Sequence, residues 1–232
     1  MARSLAAIVT DIVPYLAKLA IVSVWPQPST TTAEGLRRVS ASFSRTLHRL
    51  GIEVEVLECS RVPSEGGIVF MWNQESHLEH LVLAAAIPRP FFSLYNNEVA
   101  RVPFYGAHMR RTGHAHVDRN DETQWRASIE SAAARVHAGE CVLVSPEGTR
   151  SRDGNLLPMK RGAFILAKRA MRPIVCVTVI GSHARMPRGS AIVRGGPIRV
   201  VFSQAISSDA DDDRLRTRVR DTFIRIKAEY AL

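Results

Sequence analysis

From Glu53 to Phe202 short, β-branched apolar runs alternate with helical patterns, and this alternation limits the chain to an α/β layered domain with a mixed central sheet flanked by helices. Strand patterns begin at Val54 and Val56 and recur at Gly67 to Trp72, Phe91 to Tyr95, Ala115 to Val117, Cys141 to Ser145 and Pro173 to Ile180. A last pair covers Ala191 to Arg194 and Ile198 to Phe202. The clearest intervening helix starts at Asp121, with Gln124 three residues on, carries Trp125, Ile129, Ala132 and Val136 on one face, and stops at Gly139. A C-terminal amphipathic helix follows: Leu215, Val219, Phe223, Ile226 and Tyr230 share a face, and Asp211 to Asp213 occupy its dipole-favoured start.

Two helical patterns precede the alternating part, so residues 1–50 read as an N-terminal helical pair and residues 51–232 as the α/β domain. In the second of the pair, Thr31 to Leu50, the residues Leu36, Val39, Phe43, Leu47 and Leu50 recur at spacings of three and four. The first, Leu5 to Trp25, is the most apolar segment, but Asp11, Pro14 and Lys18 interrupt the run of about 20 apolar residues that a spanning helix needs. We read it as an interfacial helix lying on one membrane leaflet, with a helix packed on the domain as the alternative.

The formal net charge is +9, and of 31 basic residues only Lys18, Lys160, Lys168 and Lys227 are lysines. Such a chain suits anionic partners: a membrane surface, a phosphate-bearing lipid, coenzyme A or an acidic carrier protein. Aromatic residues make up only 6% and no nucleic-acid module is recognisable, so no nucleic-acid partner is expected. Cys59, Cys141 and Cys176 are isolated and read as reduced core residues, without zinc or disulfide spacing. No metal site is expected.

The chemistry concentrates where the strand Cys141-Val142-Leu143-Val144-Ser145 ends in Pro146-Glu147-Gly148-Thr149-Arg150-Ser151. Gly148 allows backbone angles closed to other residues, and Glu147, Thr149, Arg150 and Ser151 gather a carboxylate, two hydroxyls and a guanidinium suited to gripping a phosphate.

Pro146-Glu147-Gly148-Thr149-Arg150-Ser151 resembles the third motif of the glycerolipid acyltransferase family typified by bacterial 1-acyl-sn-glycerol-3-phosphate (lysophosphatidic acid) acyltransferase. Gly113-His114-Ala115-His116-Val117-Asp118-Arg119 resembles the second motif, and Pro173 to Gly181 the fourth. Val102 to Gly106 and Met159 to Ala163 also resemble that family, and the order agrees. The resemblance implies that Arg119 and Arg150 clamp a phosphate and that Glu147, Gly148 and Thr149 belong to the acceptor site.

The first motif departs from the pattern. The family reads Asn-His-x-Ser-x-x-Asp, with the His as general base and the Asp orienting it; here the stretch is Asn73-Gln74-Glu75-Ser76-His77-Leu78-Glu79. Gln74 stands where the base is expected, and an amide cannot accept the hydroxyl proton as imidazole does. Three readings follow. His77 substitutes as base, although Ser76 to Glu79 is a capping box that places His77 and Glu79 about 200° apart on a helix, and His80 one turn on reads equally well as a surface residue. Alternatively Glu79 or Glu75 is the base, its pKa raised in a dry pocket. In the third reading the chain binds lipid without catalysis. His108, His114 and His116 add imidazoles around the second motif, with His114 and His116 on the same side of a strand.

The resemblance therefore implies an enzyme of phospholipid biosynthesis: an O-acyltransferase moving a fatty acyl chain from an acyl thioester, acyl-CoA or acyl-carrier protein, to a hydroxyl of a lysophospholipid or related lipid. The noncatalytic lipid- or phosphate-binding relative is the alternative. No cofactor beyond the acyl-donor co-substrate is expected, and the cytoplasmic face of a membrane is the expected location.

Overall fold

A computed structural model describes residues 29–101, 105–190 and 192–232. Seven strands form one mixed sheet: β1 (Ile52–Leu57), β2 (Ile68–Trp72), β3 (Phe91–Tyr95), β4 (Ala115–His116), β5 (Cys141–Val144), β6 (Ile174–Ile180) and β7 (Gly196–Phe202). Their order is β1-β7-β6-β2-β5-β3-β4. All pairings are parallel except β6 with β7, so β1 and β7 run against the other five strands.

The described helices are α1 (Ala33–Arg49), α2 (Glu79–Ala86), α3 (Asn97–Ala100), α4 (Tyr105–Arg111), α5 (Glu122–His137), α6 (Gly162–Ala170), α7 (Ser182–Arg185) and α8 (Asp212–Glu229). Every residue of β2, β5 and β6 is buried. That explains their unbroken apolar runs, because parallel strands covered on both faces have no polar side to show. Alternate side chains of β2 feed different cores. Ile68, Phe70 and Trp72 join Leu36 and Leu47 of α1 and Val82 and Leu83 of α2. Val69 and Met71 join Ile129 and Val136 of α5, Phe164 and Leu166 of α6, and Leu215, Val219 and Phe223 of α8.

Helix α1 thus packs directly on the sheet domain, and the chain just before it is tied down as well: Thr30 Oγ1 donates to Phe91 O at 2.9 Å and Ser29 Oγ to Thr112 O at 2.9 Å. The expected interfacial segment Leu5 to Trp25 lies outside the described residues, as do residues 102–104. Among the described residues, no helix is long and apolar enough to cross a membrane.

Caps place the helix starts. Asp121 accepts the Gln124 N–H at 3.0 Å ahead of α5, and Asp211 accepts the Arg214 N–H at 2.9 Å ahead of α8. Three sequence expectations change. Helix α2 begins at Glu79 rather than just after Ser76, because Ser76 Oγ accepts the nearer Leu78 N–H and leaves only the Glu79 half of the capping box. Residues 192–194 form no strand; Arg194 N instead donates to Arg185 O, and the ladder starts beyond Gly195. Cys59 is exposed in a short 3-10 turn, whereas Cys141 and Cys176 are buried and all three are free thiols.

Candidate acyl-transfer site

Adjacent parallel strands deliver their following loops to the same edge of a sheet. Strands β2 and β5 pair with Met71 opposite Val144, so the Asn73 and Ser145 loops leave side by side. Hydrogen bonds then lock the two loops together. Glu147, buried, accepts the Gln74 N–H on Oε1 at 2.8 Å and the Leu157 N–H on Oε2 at 2.6 Å. Ser151 N donates to Gln74 O at 2.7 Å, and Lys160 N to Pro146 O at 2.8 Å. Burial pushes the Glu147 carboxyl up from its ordinary value, opposed by those two N–H donors.

Asn73 extends the frame to β6: its Nδ2 donates to Val179 O at 2.8 Å and its Oδ1 accepts the Val179 N–H at 2.7 Å. The same Nδ2 donates to Glu75 Oε1 at 2.8 Å, and Lys227 of α8 donates to that oxygen at 2.6 Å. Glu75 is therefore a buried carboxylate with two donors on one oxygen, one of them a cation.

Glu79 is fully buried and surrounded by donors. Its Oε1 accepts from Glu75 N at 2.8 Å, Ser76 N at 3.0 Å and Ser182 Oγ at 2.7 Å, and its Oε2 from Trp72 Nε1 at 3.3 Å. Burial raises its pKa to about 8, against the hydrogen bonds that favour the anion.

A cavity of about 740 Å³ opens beside this frame. Its walls are largely apolar, with Val39 and Phe43 of α1, Leu81 and Ala84 of α2, Val117, Trp125 and Ile129 among them. Gln74, Arg119, Gly148, Lys160 and Arg161 also line it, together with His80, His108 and His114. Arg119 Nη1 donates to Gly148 O at 2.7 Å, joining the second motif to the third. Gly148 has φ 67°, and a Cβ there would lie 3.1 Å from Arg119 Nη1 and 3.3 Å from Lys160 Cδ. The glycine supplies the left-handed backbone and the room for both cations.

Of the residues singled out in the sequence, Gln74, Arg119 and Gly148 are brought together on the cavity, while His77, Glu79, Glu147, Thr149 and Arg150 do not line it. His77 and Thr149 are exposed. Arg150 is half-buried and electrostatically coupled to His77, Glu79 and Arg188. The two second-motif histidines also separate. His114 lines the cavity and its Nδ1 accepts the Ser93 N–H at 2.9 Å, whereas His116 Nε2 meets Asn97 Oδ1 at 2.6 Å and its ring packs on Tyr95. Strand β4 is only two residues long, so the alternation assumed for three residues does not hold.

His80 is the cavity residue that the sequence left as a surface candidate. It is exposed by surface area, lines the cavity, and stands edge-on to the Trp72 ring at 6.3 Å between centroids. The surrounding protein, then His77 and Arg150, hold its pKa down to about 4. A recurrence of His three residues after His77 was the available signal, but helix phase alone does not say which of the two meets a cavity. Among the described residues, no cluster of His, Cys, Asp and Glu is arranged to hold a metal ion.

The mixed sheet gathers the motif loops at one edge around an apolar cavity, and the chain belongs to the Acyltransferase family, which it matches over residues 53–180. It is 30% identical to the 1-acyl-sn-glycerol-3-phosphate acyltransferase of Cocos nucifera over 61% of this chain and 46% of that protein. The Escherichia coli (strain K12) protein of the same name is 28% identical over 63% of this chain and 61% of its own length. The chain spans about half the length of the first curated relatives it matches, 46% of the Cocos nucifera and Chlamydomonas reinhardtii proteins. The crystal structure of the 1-acyl-sn-glycerophosphate (LPA) acyltransferase from Thermotoga maritima shares the fold, with a TM-score of 0.76, 17% identity, and coverage of 94% of this chain and 89% of that one.

Proposed function

We propose that this chain transfers a fatty acyl group from an acyl thioester, acyl-CoA or acyl-carrier protein, to the free hydroxyl of a lysophospholipid, with lysophosphatidic acid as the first acceptor to test. The observation that carries the reading is the meeting of three motif residues, Gln74, Gly148 and Arg119, on one apolar cavity of about 740 Å³. That volume is in the range of small-molecule sites, about 300–1,000 Å³. Apolar walls suit an acyl chain, and Arg119, Lys160 and Arg161 supply cations for an acceptor phosphate. Arg150 lies outside the cavity lining, and in this reading it adds positive potential near His80 rather than a second arm of a clamp. Glu147 holds the two motif loops in register instead of touching the acceptor. The acceptor is a membrane lipid, so the chain works at an anionic membrane surface on its cytoplasmic side, with acyl donor and lipid as its partners and no further cofactor.

A second reading has one specific observation in its favour: Gln74 occupies the place of the family's catalytic base. The chain then binds lysophospholipid or phosphate without turning it over. Labelled acyl-CoA and acyl-carrier protein offered with lysophosphatidic acid in liposomes separate the two. Labelled phosphatidic acid supports the transferase; binding of lysolipid without product, from either donor, supports the binding protein.

A further inference from the structure

We propose that His80 is the general base of this chain, the role that the family pattern gives to the position of Gln74; the inference rests on the acyl-transfer reading above. It follows from which lone pairs reach the cavity beside the first motif; His108 also lines the cavity, but from α4 ahead of the second motif. The Gln74 amide has no basic lone pair. Glu75 Oε1 is taken by Asn73 and Lys227, and Glu79 by four donors, and neither carboxylate lines the cavity. His114 does line it, but its Nδ1 lone pair accepts the Ser93 N–H, so its Nε2 carries the proton and can only donate. His116 is bonded to Asn97 and lies off the cavity.

The His80 ring nitrogens accept no hydrogen bond from the described residues, and the imidazole is open on the cavity side by side with Trp72. Trp72 is itself fixed, buried and donating from Nε1 to Glu79 Oε2. Glu79 thereby positions His80 through an indole, where the family's carboxylate orients its histidine directly. The surrounding protein, then the nearby His77 and Arg150, lower the pKa of the ring and favour its neutral form, with the lone pair available.

The step balances. The acceptor oxygen attacks the thioester carbonyl while His80 takes the hydroxyl proton. The C–O bond forms, the C–S bond breaks, and the imidazolium returns the proton to the departing thiolate, giving ester and free thiol. A ring with so low a pKa is a weak base but a strong acid in its charged form, which favours the second proton transfer.

The test uses the full chain in liposomes with acyl donor and lysophosphatidic acid, comparing the unmodified protein with His80→Ala, His80→Gln and His77→Ala. Removing the base lowers kcat about 10²- to 10⁴-fold with KM little changed, and added imidazole restores part of the rate to the folded His80→Ala protein. The acidic limb of the unmodified enzyme's kcat lies below the ordinary imidazole value of 6.5. Unchanged kcat in both His80 variants, or a loss confined to His77→Ala, overturns the assignment and leaves the transferase reading standing. Absence of transfer by the unmodified chain with every donor overturns both.

Discussion

The carboxylate of Glu147 accepts the backbone N–H of Gln74 at 2.8 Å, across two loops separated by 73 residues in sequence. Its second oxygen takes the Leu157 N–H, so one side chain sets the distance between the first and third motifs.

Replacing Glu147 with Ala leaves two backbone N–H groups without their acceptor. Each unmade buried bond costs about 1–3 kcal/mol, so thermal denaturation should show a loss of at least about 2 kcal/mol. Glu147→Gln keeps one acceptor and should lose less stability. Turnover should fall in both, because the loops carrying Gln74 and Gly148 lose their common anchor.

Gly148→Ala places a Cβ 3.1 Å from Arg119 Nη1 at a φ of 67°. The left-handed backbone costs an alanine about 1 kcal/mol, and the guanidinium must move to make room. We expect a raised KM for a phosphate-bearing acceptor with a smaller change for the acyl donor, measured by varying each at saturation of the other.

Lys227→Met removes the only cation bonded to the buried Glu75 among the described residues. An uncompensated buried carboxylate costs about 3 kcal/mol, less here because Lys227 is itself partly exposed. The double variant Lys227→Met with Glu75→Gln should recover stability relative to the single one; denaturant unfolding of the two, side by side, gives the coupling.

Burial of Glu79 gives the chain a pH dependence whose sign follows from the raised pKa. Its ordinary pKa is 4.5 and burial raises the folded value to about 8, so between these the folded chain holds a proton that the unfolded chain has released. The contribution to stability is therefore complete below about pH 4.5 and is lost as pH rises through 8. Melting curves from pH 5 to 8.5 should fall more steeply for the unmodified chain than for Glu79→Gln, which has no such proton.

Much of the fold was legible because its signals are local. The buried strands β2, β5 and β6 announce themselves as unbroken apolar runs, and Asp121 and Asp211 mark helix starts through a side chain that reaches three residues. The Ala191 to Arg194 pattern is local too: the short apolar run is present, but Arg194 N turns back to Arg185 O and residues 192–194 pair with no strand.

The site was legible only in its motifs. Order and spacing mark the motif residues, Gln74, His77 and Glu79 in the first, Arg119 in the second and Glu147, Gly148, Thr149 and Arg150 in the third, without separating those that meet the cavity from those that do not. The sequence by itself also determined that an imidazole base is missing from its usual place. Tertiary structure alone decided which side chains meet the cavity. Glu79 and Glu75 turned out to be committed to Trp72, Ser182, Asn73 and Lys227, partners brought from as far as 152 residues away. His77 and His80 differ by one helical turn in sequence, yet only His80 lines the cavity. A lone pair is available or spent according to what the rest of the chain packs against it, and no local pattern encodes that.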